Sequence, residues 1–367
     1  MENKMTQRAG DNCNQIQANN VFFNQGIEEK RAREIFKEMF EQTRENLSQE
    51  ARTIANTRVT EFENDLIARM QKVEGAINAF ADPSFQMLLT SAHKTAIVTD
   101  KNEDYQILSE LLLHRIKKGN DRNATVGIRK AIEIVNEIPD EALLGLTVFY
   151  AIEKIVPCSG NIIEGLDVLN ELFEKIIIDE LPKGIEWIEQ LDILDAIRIN
   201  KQSSFLKLED FYKKRLEGYC CIGIKKDTDN YTKAIEVLKQ KRLDGFLIEH
   251  ELNPNYLRLS FPNNNSIESY VGMIWGFDGK ELKIERNKLK KEEKETLHKV
   301  YNMYEKDSVL FNQVYNKFVE EIRKRDNLNK IKIWLESIPC AFDITSIGKV
   351  LAHANAQKCY DKFPPLN

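Results

Sequence analysis

The sequence predicts a mainly α-helical protein with a short N-terminal β ribbon, a long helix, an α-helical bundle or irregular solenoid, and a small α+β C-terminal domain. Apolar residues recur at spacings of three and four through most of the chain, which is the period of an amphipathic helix. Residues 27–74 contain neither Gly nor Pro, the two residues that most often interrupt a helix. Strand-like alternation is concentrated in the last third, around the hairpin signal Asp278-Gly279.

Bulk composition limits the classes of protein that fit this sequence. A chain of 367 residues with 42% hydrophobic residues is long enough for two or three domains. The net charge of −5 argues against broad attraction to nucleic acid or anionic lipid. No stretch approaches the roughly 20 apolar residues of a membrane span, and Met1–Met5 does not open a signal peptide. The six cysteines form no CxxC pair, which favours reduced thiols in the bacterial cytoplasm.

Residues 1–26 are predicted to be a disordered lead followed by a short β assembly motif. The stretch between Gly10 and Gly26 is rich in Asn and Gln and alternates locally between apolar and polar residues. Two short strands are not stable alone in water, so this segment needs the rest of the chain or further copies of itself. The apolar residues expected to form a core shared between copies are Ile16, Ala18, Val21 and Phe23.

Residues 27–81 are predicted to form one long amphipathic, coiled-coil-like helix. Its single apolar stripe would pair with another helix, in the same chain or in a second copy. Ser48 followed by Ala51 leaves open an alternative, in which a new helix starts at Ser48. Four residues of the stripe are expected at the interface between copies: Phe36, Phe40, Leu47 and Ile54.

The remaining chain is divided into two predicted domains. Residues 82–244 read as successive helices, among them 123–138, 139–155, 184–199 and 205–219. Residues 245–367 combine strand and helix patterns and are predicted to be an α+β domain. In that domain we expect a strand at 256–261, a hairpin formed by 270–277 and 281–285, a final strand at 341–344 and a last helix at 347–358.

Candidate ligand-binding residues are few, and each has a structural alternative. His114, Arg115 and Arg122 form a basic cluster that could hold a phosphate, or could simply complement the C-terminal dipole of a solvated helix. Asp192 is predicted to share a helix face with Asp195 and Arg198, as a paired carboxylate or as part of a surface ion ladder. No two histidines stand at helical metal-binding spacing, and no phosphate loop or dinucleotide fingerprint occurs. We therefore expect no metal and no cofactor.

Three stretches together resemble an uncharacterised family of bacterial proteins. They are "AGDNCNQIQANNVFFNQGIEEKRAREIFKEMF" (9–40), "NDRNATVGIRKAIEIVNEIPDEALLGLTVF" (120–149) and "DITSIGKVLAHAN" (343–355). The resemblance covers nearly the whole chain and implies no catalytic residues. Similar "GDNSxxIQA" leads precede helical or membrane modules in many bacterial proteins, some of them associated with phage defence. Those leads usually carry Ser or Thr where this chain has Cys13.

Three functions compete at this point. The first is a non-enzymatic, homo-oligomeric bacterial protein of anti-phage defence or the stress response, with its own copies and a phage or host protein as partners. The alternative is a nuclease or nucleotide-handling effector enzyme with a site between the helical and C-terminal domains, using residues such as His114 and His250. The third is nucleic-acid binding by the C-terminal hairpin through Lys283 and Arg286, which the interleaved acids Glu285 and Glu292 oppose. We predict the first, with no membrane or nucleic-acid partner.

Overall fold

The structure is a computed structural model that describes residues 27–44, 48–119, 121–278 and 281–366, without the side chains of residues 42, 43, 123 and 272–287. The predicted assembly motif within residues 1–26 lies outside the described residues. The same is true of five residues predicted at the interface between copies: Ile16, Ala18, Val21, Phe23 and Leu47.

The N-terminal half of the described chain is helical throughout. Its helices are α1 (Glu29–Arg44), α2 (Gln49–Gln71), a 3₁₀ turn (Ala76–Ala81), α3 (Pro83–Val98), α4 (Asn102–Lys118), α5 (Arg122–Ile134), α6 (Asp140–Lys154) and α7 (Ile162–Ile176).

Helices and short strands alternate in the second half. In chain order they are α8 (Glu186–Ile193), β1 (Ile197–Asn200), α9 (Leu208–Arg215), α10 (Glu217–Cys220), β2 (Ile224–Lys225), α11 (Asp229–Gln240), a 3₁₀ turn (Asp244–Phe246), β3 (Leu247–Glu249), β4 (Tyr256–Leu259), α12 (Asn265–Ser269), β5 (Val271–Asp278), β6 (Glu281–Lys288), α13 (Lys291–Tyr301), α14 (Ser308–Arg323), α15 (Asp326–Ser337), β7 (Ala341–Ile344) and α16 (Ser346–Cys359). The predicted fold class is confirmed: the chain is mainly helical, with short antiparallel strands in small sheets.

The long helix predicted for residues 27–81 is not continuous. Ser48 has an extended backbone, and its side chain accepts a hydrogen bond from the amide of Ala51 at 3.3 Å, so it caps the start of α2. Helix α2 ends at Gln71, and Gly75 follows in the left-handed region at φ 72°. The alternative start at Ser48 is therefore the correct one. With the helix broken there, α1 packs against α2 and α3, and the apolar stripe is buried within its own chain.

A second correction concerns the helix predicted for 184–199. Helix α8 ends at Ile193, and Asp195 adopts a positive φ of 59°, which an α-helix cannot contain. The chain then forms β1, which pairs antiparallel with β7 in the register Ile197↔Ile344. The side chain of Thr345 donates to the carbonyl oxygens of Asp195 and Ala196 at 2.7 and 3.0 Å, so a distant segment fixes this turn.

Two hydrophobic cores divide the described residues. The larger one includes side chains from α1 to α9 and from α14 to α16, and the smaller one lies between Ile224 and Val300 around the sheet β2-β4-β3. The division does not follow the predicted boundary at 244/245, because the last three helices return to the large core. Helix α16 packs against α4, α5 and α6, and it contributes an unbroken buried run from Val350 to Ala356.

His93 lies in the large core without a hydrogen-bond partner among the described residues. It is fully buried on α3, and its ring meets that of Phe36 edge-on at a centroid distance of 4.2 Å. Neither ring nitrogen has a partner in the part of the chain that the structure describes, and burial lowers the pKa of His93 to about 3. An unpaired buried polar group costs about 1–3 kcal/mol. A side chain of similar size without polar atoms would avoid that cost.

We therefore expect His93→Leu to raise the free energy of unfolding at pH 7 by about 1–2 kcal/mol. Urea denaturation followed by circular dichroism measures the change. His353→Leu is the matched control, because both ring nitrogens of His353 have partners, and it should lower stability instead. A loss of stability in His93→Leu would show that the ring makes a favourable contact in the core.

Candidate functional site

An acidic cleft lies where the start of α4, the start of α6, the loop after α7 and the end of α16 meet. Its volume is about 260 Å³. Apolar side chains form part of its wall: Ile107, Leu143, Leu144 and Ile178. The polar lining residues are Lys101, Glu103, Asp104, Asp140, Glu141, Asp179, Glu180, Asn355 and Lys358. We call this site the acidic cleft.

Six carboxyl side chains and two lysines line the acidic cleft, so negative charge prevails there. The four acids from α4 and α6 stand in the first turns of those helices, where they complement the helix dipole. Lys101 Nζ lies 2.9 and 2.7 Å from the two carboxylate oxygens of Asp140, joining the start of α4 to the start of α6. This exposed pair neutralises one of the six acids.

Asp104 is the most buried carboxyl group of the acidic cleft, with 7% of its surface exposed. The hydroxyl of Thr99 donates to Asp104 Oδ2 at 2.5 Å, and Tyr105 donates to the carbonyl oxygen of Thr99 at 3.1 Å. Burial raises the pKa of Asp104, while the hydrogen bond from Thr99 opposes that shift. A cation close to this carboxylate would regain the electrostatic energy that the group loses on burial.

Asn355 lines the acidic cleft and carries a buried hydrogen-bond acceptor that has no partner among the described residues. Thr147 donates its hydroxyl to the carbonyl oxygen of Leu143 at 2.6 Å, so the same hydroxyl oxygen accepts from Asn355 Nδ2 at 2.9 Å. This pairing fixes the orientation of the amide and leaves Asn355 Oδ1 on its other side. Asn355 is 5% exposed, and its Oδ1 is buried and has no partner among the described residues. Such an acceptor is satisfied if a ligand donates an N–H or O–H to it.

His114 on α4 and His353 on α16 form a buried chain of hydrogen bonds. His353 Nε2 lies 2.8 Å from the carbonyl oxygen of Pro364, so it must donate, and His353 Nδ1 must accept from His114 Nε2 at 3.0 Å. Gln357 Oε1 shares that donor at 2.9 Å. Burial lowers the pKa of His114 to about 3 and of His353 to about 4, so both rings are neutral. The pair ties the C-terminal tail to α4.

The four predicted ligand-binding residues are not brought together. His114 is buried and belongs to the chain of hydrogen bonds with His353. Arg115 is also buried, but it donates elsewhere, to Ser84 Oγ at 2.9 Å and to the carbonyl oxygen of Gly119. Arg122 is exposed at the start of α5. Asp192 accepts from the amide of Ile199 at 3.2 Å and so supports the turn into β1. The shared helix face predicted for Asp192, Asp195 and Arg198 does not exist, because α8 ends at Ile193.

The predicted interface residues that the structure describes also separate. Phe36 and Phe40 are buried in the core of their own chain, with 1% and 6% of their surface exposed. Ile54, on α2, remains 55% exposed. Among these three residues, Ile54 alone presents a surface to a second copy.

His250, the further enzyme candidate, is also held by its own chain. Its Nε2 donates to the carbonyl oxygen of Cys221 at 2.7 Å, and its Nδ1 accepts from the amide of Leu252 at 3.2 Å. Burial lowers the pKa of His250 to about 4. Glu249 and Glu251, its neighbours in sequence, pair with Lys226 and Arg258 instead.

Sequence reasoning missed the acidic cleft as a site. In the sequence, Asp140 and Glu141 indicate only the start of a helix, because acidic residues are common in a first helical turn. Glu103 and Asp104 indicate another helix start in the same way. The signal of a site is their convergence, which requires two helix starts to meet at the same end of the fold. Over the described ranges, no three His, Cys, Asp or Glu side chains are close enough to hold a metal ion. None of the described helices is long and apolar enough to cross a bilayer.

Comparison with known proteins identifies a family. A model of an uncharacterised protein family matches residues 26–366, which is nearly the whole chain except the N-terminal motif. No curated protein and no solved structure matches the chain. The match includes both hydrophobic cores and every residue that lines the acidic cleft.

Proposed function

The chain belongs to the uncharacterised family whose model matches residues 26–366, and we propose that it is a non-enzymatic, homo-oligomeric bacterial protein of anti-phage defence or the stress response. It works in the cytoplasm by binding, with the acidic cleft as its recognition site. Its partners are its own copies and a phage or host protein. Support for the defence context comes from the resemblance of the "AGDNCNQIQA" lead to leads that occur in phage-defence proteins.

The proposal that the protein is not an enzyme rests on one observation: the candidate catalytic side chains already make structural contacts within their own chain. His114 and His250 are neutral and hydrogen-bonded to groups of their own chain. Arg115 and Asp192 likewise support a helix end and a turn. A general base or an electrophilic group must reach the substrate, and these four side chains are already committed to the fold.

The assembly part rests on the N-terminal segment. The apolar stripe of α1 and α2 is largely used within the chain, so it has little left to offer a second copy. Residues 1–26 carry the remaining signal, since Asn and Gln side chains form ladders best with identical neighbours. The exposed Ile54 on α2 adds an apolar contact in the described part of the chain.

Light scattering on full-length variants tests this assembly. We expect Val21→Asp and Phe23→Asp to lower the molar mass of the oligomer, because a charge in a shared apolar core has no partner there. Ile333→Asp is the matched control: Ile333 is 61% exposed on α15, outside the proposed interface, and its replacement should leave the mass unchanged. Unchanged masses for both N-terminal variants would rule out assembly through this segment.

The alternative, a nuclease or nucleotide-handling enzyme, is less well supported, because the side chains that line the acidic cleft are mainly negatively charged. A phosphate group would enter a cleft lined by six carboxyl groups and two lysines, and one of those lysines is already paired with Asp140. Like charges at such a site oppose phosphate binding. The acidic cleft therefore favours a positively charged ligand.

A further inference from the structure

We propose that the acidic cleft binds a linear aliphatic polyamine, a chain of methylene groups that carries primary ammonium groups. This inference rests on the proposed function, because it specifies the ligand of the recognition site named there. Three features of the acidic cleft support it: the placement of the carboxyl groups, the apolar wall, and the unpaired acceptor on Asn355.

The carboxyl groups of the acidic cleft come from three different segments of the chain. Glu103 and Asp104 belong to the start of α4, Asp140 and Glu141 to the start of α6, and Asp179 and Glu180 to the loop after α7. A single compact cation could contact one of these groups of acids at a time. A ligand whose positive charges are separated along a chain could reach several of them.

The apolar wall suits the methylene segments of such a ligand. Ile107, Leu143 and Leu144 line the acidic cleft together with the acids. Ile178 also lines the acidic cleft, and with 69% of its surface exposed it is open to contact with a ligand. Methylene groups placed against these side chains would remove apolar surface from water.

Asn355 points to an N–H donor rather than to charge alone. Its Oδ1 is buried and has no partner among the described residues, and the hydrogen bond from Asn355 Nδ2 to Thr147 fixes the orientation of the amide. An ammonium group carries three N–H donors, so one group can donate to Asn355 Oδ1 and also to a carboxylate such as Asp104. A hydrophobic ligand or an anion would leave the acceptor unsatisfied.

Lys101 shows how an ammonium group is accommodated in the acidic cleft. Its Nζ contacts both carboxylate oxygens of Asp140 although the pair is largely exposed, and Lys358 also lines the acidic cleft. An entering polyamine would contact the acids other than Asp140, which Lys101 already pairs with. Because the contacts are ionic, binding should weaken as salt screens them.

Isothermal titration calorimetry of the full-length protein with spermidine at low salt tests the proposal. We expect saturable binding, and at least about tenfold weaker binding by Asp104→Asn, which keeps the acceptor for Thr99 but removes the charge. Glu103→Gln, an exposed change at the rim, should weaken binding by about two- to fivefold. Glu320→Gln on α14, an exposed acid away from the acidic cleft, is the matched control and should bind as the unaltered protein does.

Two further ligands separate the alternatives. Butane-1,4-diol has a methylene chain with hydroxyl groups in place of ammonium groups, and it should not bind. Magnesium chloride at matched ionic strength tests a metal site. Equal spermidine binding by all variants, no binding at low salt, or magnesium binding that Asp104→Asn abolishes would each overturn the proposal. The molar mass of the same samples tests the assembly independently of ligand binding. If the protein is an oligomer but does not bind spermidine, the proposed ligand is wrong and the proposed assembly is unaffected.

Discussion

Replacing Arg258 by methionine should lower the free energy of unfolding by about 3–5 kcal/mol, because it leaves the carboxylate of Glu251, whose side chain is only 15% exposed, without its partner. Arg258 is fully buried on β4, and its Nη2 and Nε donate to the two carboxylate oxygens of Glu251 at 2.7 and 2.8 Å. Nη2 also donates to the carbonyl oxygen of Gly160, in the loop before α7. The guanidinium group therefore joins the small core to the large one, and urea denaturation at pH 7 measures its loss.

A second variant separates the lost charge pair from lost packing. Glu251 also accepts from the amide of Ile162 at 2.9 Å, a contact that glutamine can keep. The double variant Arg258→Met with Glu251→Gln should recover a large part of the lost stability, since no unpaired charge remains buried. If Arg258→Met alone lowers the free energy of unfolding by less than about 1 kcal/mol, the Arg258–Glu251 pair contributes no more than an exposed ion pair does, which would contradict this prediction.

Acidification from pH 6.5 to pH 5 should destabilise the fold by about 2 kcal/mol for each of four buried histidines. Burial lowers the pKa of His93 and His114 to about 3, and of His250 and His353 to about 4. The unfolded chain takes up protons near pH 6.5 while the folded chain does not. The stabilising contribution is thus complete above pH 6.5 and is lost as the pH falls.

Urea denaturation at pH 7, 6 and 5 measures this dependence. His93→Leu provides the control, because it removes one titrating group and should reduce the slope below pH 6.5 by about 1.4 kcal/mol per pH unit. A free energy of unfolding that stays constant between pH 7 and pH 5 would mean that these histidines can protonate within the folded protein.

Local sequence patterns were sufficient for most of the helices and for the hairpin. The Asp278-Gly279 signal placed the β5–β6 pair, in which Asp278 is opposite Glu281. The helix predicted for 184–199 failed because its end is determined by Thr345, about 150 residues away, through hydrogen bonds to Asp195 and Ala196. Periodicity describes one segment at a time, so it cannot reveal a strand whose partner is β7.

The candidate site was harder to predict for the same reason. His114 resembled a solvent-facing residue of a basic helix end, but its partner His353 lies 239 residues further along the chain. The acids at the starts of α4 and α6 have an ordinary explanation in helix capping, and Asn355 has no local signal at all. Their combination into one cleft depends on α16 returning between the earlier helices.

The molar mass of the unaltered full-length protein in solution tests the central claim most directly. Light scattering after size exclusion, at near-physiological salt and over a range of concentrations, should give a multiple of the 42.6 kDa chain mass. A chain that lacks residues 1–26 should run closer to the monomer, since the described helices retain their own core. A mass of 42.6 kDa for the full-length protein at every concentration would contradict the proposed assembly.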